Sequence, residues 1–419
     1  MPAIVWPIRT TGSDLDELNH RLASSPGLVS QPDRTRAWLA LILAPGLGPQ
    51  RLSGLIEILP ALSDWPTLSN DQLRGAGLTR PQIDALHRPD AERLDRALAW
   101  LDAPDHFLIT LDDEVYPPLL RQIDDAPLGL FLAGRPELLL HPQLAIVGSR
   151  NATPGGLDHA RDFAATIARA GFAITSGLAA GVDSAAHSGC LANGGQTLAV
   201  TGTGPDQIYP ARNKALAHQI IEHGAMLTPF PPGTPPLPGN FPARNRIISG
   251  MSLGTLVVEA GLRSGSLITA RLASEQGREV FALPGSLHNP QARGCHRLIR
   301  DGARLVETAD EVIDELAPLA GDLAQRLQAL MATDAPDSQA QLDKPDGGTH
   351  FTLDSEHMQL LETVGFDPTP IDVIIQRSEL TAAAVSSMLL MLELDGHVAA
   401  HPGARYSRTS KSSLEKDEE

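Results

Sequence analysis

Between residues 144 and 285, short unbroken apolar runs alternate with longer stretches of helical period. Six runs read as strands: LAIVGS (144–149), FAIT (172–175), TLAVTG (197–202), AMLTPF (225–230), GTLVVEA (254–260) and EVFALPG (279–285). Residues 156–170 and 182–192 read as helices between them. Apolar strands separated by helices predict a parallel sheet buried on both faces, an α/β core. Ligands of such sheets sit outside the carboxyl ends of the strands, where the Gly/Ser-rich turns of this sequence fall.

Upstream, residues 34–101 follow a helical pattern broken at Pro45-Gly46-Leu47-Gly48-Pro49 and Gly75-Ala76-Gly77, which predicts a small all-α domain. One strand (106–111) and the turn Tyr116-Pro117-Pro118 connect it to the sheet. Downstream, residues 331–349 are poor in apolar side chains and rich in Asp, Gly, Pro and Gln, the composition of a solvated linker. The expected organisation is an extension (1–33), a helical domain (34–103), the sheet domain (104–318), a linker (319–354), a compact unit with three helical stretches (355–407) and a polar tail (408–419).

Composition narrows the class. Apolar residues make up 42% of the 419 and charged residues 20%, a globular balance. No run of about 18 apolar residues is present, so no membrane span is expected, and the first residues do not form a secretory signal. Cys190 and Cys295 lack CxxC spacing and metal-ligand companions; they read as incidental thiols of a cytoplasmic protein, and no metal site is expected. The net charge of −17 argues against a polyanion partner only if spread evenly. It is not: residues 144–304 hold 14 Lys/Arg against 9 Asp/Glu, so any polyanion site belongs there.

The turns carry the candidate chemistry. Gly148-Ser149-Arg150 follows the first strand and precedes a helix. Either its free N–H groups and the arginine seat a phosphate, or it is a plain βα turn with a surface arginine. Ser176-Gly177 opens a second small-residue turn leading to Asp183 and His187, an i,i+4 pair that packs or caps its helix. Gly202-Thr203-Gly204 is only part of a dinucleotide fingerprint, since Gln207 stands where the third glycine would fall, and no P-loop occurs. Phe241, Arg244, Asn245 and Arg246 follow a proline-rich segment. Arginines beside an aromatic suit sequence-tolerant single-strand binding; the alternative is a helix start with structural ion pairs around a core Phe241. Ser264-Gly265-Ser266 opens another helix and a further anion seat, and Glu259, at the end of a buried strand, is either a general base or, the favoured reading, a structural carboxylate paired near Arg246 or Arg263. Pro45-Gly46-Leu47-Gly48 fits either a helix-hairpin-helix turn or a simple αα-hairpin. No triad or carboxylate pair supplies catalytic residues.

Eight motifs in one order resemble the DNA-processing protein A (DprA/Smf) family: LDDEVYPPLLRQIDDAP, AIVGSR, SGLAAGVDSAAH, TGTGPDQIYPARN, NFPARNRIISGMS, VVEAGLRSGSLITA, GREVFALPG and LIRDGA. The resemblance covers roughly residues 38–315. It implies an extended Rossmann-like domain, a SAM- or helix-hairpin-helix-like N-terminal domain and a C-terminal winged-helix-like module. It further implies a homodimer, without cofactor or enzymatic activity, that binds single-stranded DNA regardless of sequence. Such a protein protects incoming DNA and loads the RecA recombinase onto it in natural transformation. DNA contacts are implied at Gly148, Ser149, Arg150, Ser176, Gly177, Phe241, Arg244 and Arg246, and the residue reading adds Gly202, Asn245, Ser264, Gly265 and Ser266.

Three departures stand out: Pro235-Pro236-Leu237-Pro238 lacks the basic residue often found before the aromatic, His296 stands in place of Asn, and Gly155 replaces an aromatic. Phe241→Ala and Arg244→Ala are each expected to weaken strand binding without unfolding the chain. The rival class is a Rossmann-like nucleotide hydrolase (a LOG-type phosphoribohydrolase), whose PGGxGTxxE signature is absent. A duplex-DNA regulator is disfavoured because residues 381–394, the expected recognition helix, hold no Lys or Arg; the C-terminal unit reads instead as a protein-interaction or regulatory module.

Overall fold

The computed structural model describes residues 32–333 and parts of 360–408. The expected N-terminal extension and polar tail lie almost wholly outside the described residues, as do 334–354 of the expected linker. The chain forms two compact units, Met1–Ala335 and Pro336–Glu419.

The first unit begins with helices α1 (Pro32–Leu43), α2 (Pro49–Ile56), α3 (Asn70–Gly75), α4 (Arg80–His87) and α5 (Ala91–Leu101). Their starts follow from local chemistry. Pro49 opens α2, Ser69 and Gln72 close a capping box on α3, Thr79 and Gln82 do the same on α4, and Asp90 caps α5. The turn between α1 and α2 uses Gly46 at φ +70°, a left-handed conformation natural to glycine. Trp38, Leu41, Leu52, Leu55, Trp65 and Leu73 fill the small core. Arg34 pairs with Asp113 at 2.9 Å, and the Leu62 N–H donates to Asp112 at 2.9 Å, so the helices are tied to the next segment.

That segment holds β1 (His106–Thr110), α6 (Pro118–Arg121) and β2 (Gly129–Gly134). The α/β core follows: β3 (Gln143–Val147), α7 (Pro154–Arg169), β4 (Ala173–Ser176), α8 (Val182–Ala192), β5 (Thr197–Val200), α9 (Lys214–His223), β6 (Ala225–Thr228), α10 (Asn240–Met251), β7 (Gly254–Val257), α11 (Ser266–Glu275), β8 (Glu279–Ala282), α12 (Arg293–Arg300), β9 (Arg304–Leu305) and α13 (Ala309–Thr333). The nine strands lie in the order β1-β2-β6-β5-β4-β3-β7-β8-β9; all pair in parallel except β1 with β2 and β2 with β6. Period-two alternation sends Leu144 and Ile146 to one face, against α7, α8 and α13, and Ala145 and Val147 to the other, against α10 and α11.

Three sequence expectations need correction. Five of the six strands are shorter than their apolar runs, β4 alone keeping its length one residue further on: residues 149, 201–202, 258–260 and 283–285 lie past the strand ends. The run GLFLAG of β2, expected as part of the connection, is wholly buried and adds an antiparallel strand beside β6. The linker expected from residue 319 starts too early, because Leu316, Ala320, Leu323 and Ala324 form a buried stripe that extends α13 to Thr333.

The second unit contains β10 (Thr369–Pro370), α14 (Ile371–Ser378), β11 (Val398–His401) and β12 (Arg405–Arg408), with the strands antiparallel in the order β10-β12-β11. A helix beside a three-stranded wing, over a core of Leu360, Val364, Ile374, Leu389 and Val398, is a winged-helix arrangement. The expected recognition helix 381–394 lies partly outside the described residues. Among the described residues, no helix is long and apolar enough to cross a membrane.

Candidate nucleic-acid interface

Strand order reverses between β3 and β7: the chain winds from β3 outward through β4, β5 and β6, then returns to β7 and runs the other way. Loops leaving the carboxyl ends of β3 and β7 diverge there, and a cleft of about 470 Å³ opens between them.

Its first wall is Gly148-Ser149-Arg150. The Ser149 N–H donates to the Glu259 carbonyl (2.6 Å), its carbonyl accepts from Val182 N–H (3.1 Å), and its hydroxyl accepts from Asn151 N–H (3.1 Å). The turn is thus pinned between β7 and α8, while Arg150 stays exposed above it. The second wall is α10. Phe241, Arg244, Asn245 and Ile248 recur at i, i+3, i+4 and i+7, so one helix face lines the cleft. The half-buried Phe241 ring lies over Gly202, where a Cβ would meet it at 3.0 Å. Arg150 sits over that ring at 5.7 Å from its centroid, and Tyr209 packs beside it at 5.8 Å. The third wall is the start of α11: Ser264 and Ser266 hydroxyls share a 2.7 Å hydrogen bond and Gly265 is exposed, while the Ser266, Leu267 and Ile268 N–H groups donate to the Ser264 hydroxyl, the Ser264 carbonyl and the Gly265 carbonyl.

Arg244 is not a free grip. It is 4% exposed, and its Nη1 donates to the Gly177 and Val200 carbonyls at 2.5 Å each. The guanidinium forms the cleft floor, close enough to Gly177 that a Cβ there would sit 2.4 Å from Nη1. Burial lowers its pKa to about 10, with Asp183 opposing the shift.

Two predicted contacts do not reach the cleft. Ser176 is fully buried and donates its hydroxyl to the Ile146 carbonyl at 2.6 Å, which spends it on the sheet. Arg246 stands two residues from Arg244, about 200° around the helix, and turns away to pair with Asp125. Gly177 and Gly202 lie beneath Arg244 and Phe241 and shape the floor without facing solvent. Arg263, Asn151 and Gln291 also line the cleft and were not singled out as contacts. Arg263 was legible as a cation just before the helix-opening Ser-Gly-Ser; Asn151 and Gln291 carry no local signal.

The family described as DNA recombination-mediator protein A matches residues 107–317. The chain is 43% identical over 333 residues to protein Smf of Escherichia coli (strain K12), covering 79% of this chain and 85% of that one. The chain belongs to the DprA/Smf family. Other DprA/Smf matches agree: the SMF/DprA SAM domain fits residues 32–99 and the DprA winged helix domain residues 334–404. Protein Smf of Synechocystis sp. is 39% identical over 398 residues, 88% of this chain and 98% of that one. The X-ray structure of DNA processing protein A (DprA) from Streptococcus pneumoniae superposes with a TM-score of 0.59 at 36% identity, covering 67% of this chain and 97% of that one. The chain is therefore a DNA-processing recombination mediator with a helical SAM domain, an α/β sheet domain and a winged-helix domain.

Within this DprA/Smf chain the remaining polar residues serve the scaffold. Glu259 pairs with neither Arg246 nor Arg263. Its carboxylate accepts from Thr153 N–H (2.8 Å), the Thr153 hydroxyl (2.7 Å) and the Asn289 amide (3.1 Å), because α7 starts within its reach and the arginines face elsewhere. Glu259→Ala is expected to cost about 1.5–3 kcal/mol, the range for hydrogen bonds to a charged group, and a urea titration measures it. Asp183 and His187 do not bond each other. Asp183 accepts from Gly177 and Ala179 N–H, and His187 bonds Thr197. His296, which replaces Asn, bonds the Gly285 carbonyl at 3.0 Å and so stays with the scaffold.

Proposed function

We propose that this DprA/Smf chain binds single-stranded DNA, without sequence preference, in the cleft between β3 and β7. One observation carries the reading: an aromatic ring, Phe241, stands in the same cleft as exposed Arg150 and Arg263 and the Ser264-Gly265-Ser266 start of α11. The ring offers a stacking surface that every base satisfies, and the cations suit phosphates. Gly148, Ser149, Asn245, Ser264, Gly265 and Ser266 complete the proposed contact set, while Arg244, Gly177 and Gly202 hold its floor. The set contains no catalytic residue and calls for no cofactor. Delivery of the strand to the RecA recombinase, and work as a homodimer in the cytoplasm, are part of the same proposal, which the family resemblance supports.

The test is fluorescence anisotropy of a labelled single-stranded oligonucleotide, with duplex competitor, across a salt series. Strand-selective binding that weakens with salt is expected, each engaged phosphate adding about −0.7 to the logarithmic slope. Phe241→Ala is expected to weaken binding by about 1–3 kcal/mol, roughly thirtyfold at the middle of that range, with the melting temperature little changed. No binding at low salt would overturn the reading.

A further inference from the structure

A second cleft, of about 360 Å³, opens on the far side of Arg150. Arg150 lines both clefts, and among the described residues no other does. One wall is α7, which contributes Arg161; the other is the first two turns of α8, with Ser184 and Ser188. The helices cross closely at Gly189, where a Cβ would stand 2.5 Å from the Arg161 Cα, and this crossing sets Arg161 beside the exposed Ser188. The rim is Arg212, in the connection from β5 to α9. Its neighbour Asn213 donates its amide to the Leu178 carbonyl (2.8 Å) and the Ser184 hydroxyl (2.9 Å), so that connection is fixed against α8.

The charge arrangement is one-sided. Arg150, Arg161 and Arg212 line the cleft and no carboxylate does. Arg212 is exposed, and its side chain makes no hydrogen bond or ion pair among the described residues. Arg161 holds only Asp158, in an exposed i,i+3 pair at 2.6 Å; such pairs are worth little and exchange readily for a stronger anion. The one acid at the start of α8, Asp183, points its carboxylate away, to the Gly177 and Ala179 N–H groups. The Ser188 hydroxyl adds a neutral donor, whereas the Ser184 hydroxyl, which donates to the Ala179 carbonyl at 2.6 Å, and the Asn213 amide are spent on the scaffold. A groove of guanidinium groups with one available hydroxyl, and without an aromatic, suits backbone phosphates and leaves bases untouched.

We propose that this second cleft is a phosphate track for the same nucleic-acid strand, which leaves the first cleft over Arg150 and continues between α7 and α8 toward Arg212. The inference rests on the strand occupying the first cleft, and it fixes the direction in which that strand exits.

The test uses the full chain and oligothymidines of increasing length, each in a salt series. The double variant Arg161→Gln, Arg212→Gln alters two exposed side chains, and a melting curve confirms its fold. Long oligomers are expected to show a logarithmic salt slope shallower by about 1.4, two phosphates at about 0.7 each, while oligomers short enough to fill only the first cleft bind as the wild type does. Arg212→Lys is expected to keep most of the long-oligomer slope, since a phosphate contact needs the charge. A double variant indistinguishable from the wild type at every length would overturn the track alone. A wild-type chain that binds no single strand would overturn both the track and the reading beneath it.

Discussion

Arg244→Ala is expected to cost about 2–6 kcal/mol of folding stability, about 1–3 kcal/mol for each of the two buried carbonyls left without its donor. The guanidinium bridges the carboxyl ends of β4 and β5 through the Gly177 and Val200 carbonyls. Its removal strips both acceptors of a donor inside the fold and leaves the buried Asp183 carboxylate with only two backbone N–H groups. Burial already raises the Asp183 pKa above its ordinary value, and Arg244 is the largest influence holding it down. Without the arginine that pKa rises further. A carboxyl whose folded pKa exceeds its unfolded one loses stability as pH climbs through that window, so the deficit is greatest at neutral pH and narrows on acidification. Urea midpoints at pH 8 and pH 5 read both effects. An unchanged midpoint with lost DNA affinity would instead make Arg244 an exposed phosphate grip, as its sequence motif alone suggests.

That reversal shows where the sequence stopped being informative. The parallel sheet was legible because strands buried on both faces read as unbroken apolar runs, as β3 and β5 do. The turns at the strand ends were legible because Gly148-Ser149 and Ser264-Gly265-Ser266 are small-residue clusters beside helix starts. What was not legible was the direction in which a side chain points within one motif. Phe241-Pro242-Ala243-Arg244-Asn245-Arg246 supplies an aromatic and two arginines, but whether they share a face depends on where α10 begins. The helix starts at Asn240, which places Arg244 with Phe241 and sends Arg246 round to Asp125. The partners of Glu259 were misjudged for a related reason. Charge suggests an arginine, yet Thr153, more than 100 residues earlier, is brought onto it by the packing of α7 against β7.

Acidification from pH 6.5 towards 3 is expected to cost up to about 5 kcal/mol through His187 alone, at about 1.4 kcal/mol per pH unit. The imidazole is fully buried in α8. The Thr197 hydroxyl donates to the Ile174 carbonyl at 2.6 Å, so it must accept from His187 Nδ1–H at 2.7 Å. That leaves Nε2 buried and without a hydrogen-bond partner. A second proton would sit there with no acceptor and with the Arg244 charge nearby; burial first, and Arg244 second, push the folded pKa down to about 3. Between pH 6.5 and that value the unfolded chain takes up a proton that the folded chain refuses, so stability falls as pH falls. His187→Gln retains an amide that can donate to Thr197 and removes the titration. It is expected to be less stable at pH 8, where a fitted contact is lost, and to show a shallower decline below pH 6.5. Parallel declines for the two chains would mean that His187 does not govern this range. The consequence reaches the cleft, because α8 carries both His187 and Val182, whose N–H holds the Ser149 carbonyl. Acid therefore releases the Gly148-Ser149-Arg150 turn only as the chain unfolds, and strand affinity should fall together with the folded fraction and not ahead of it.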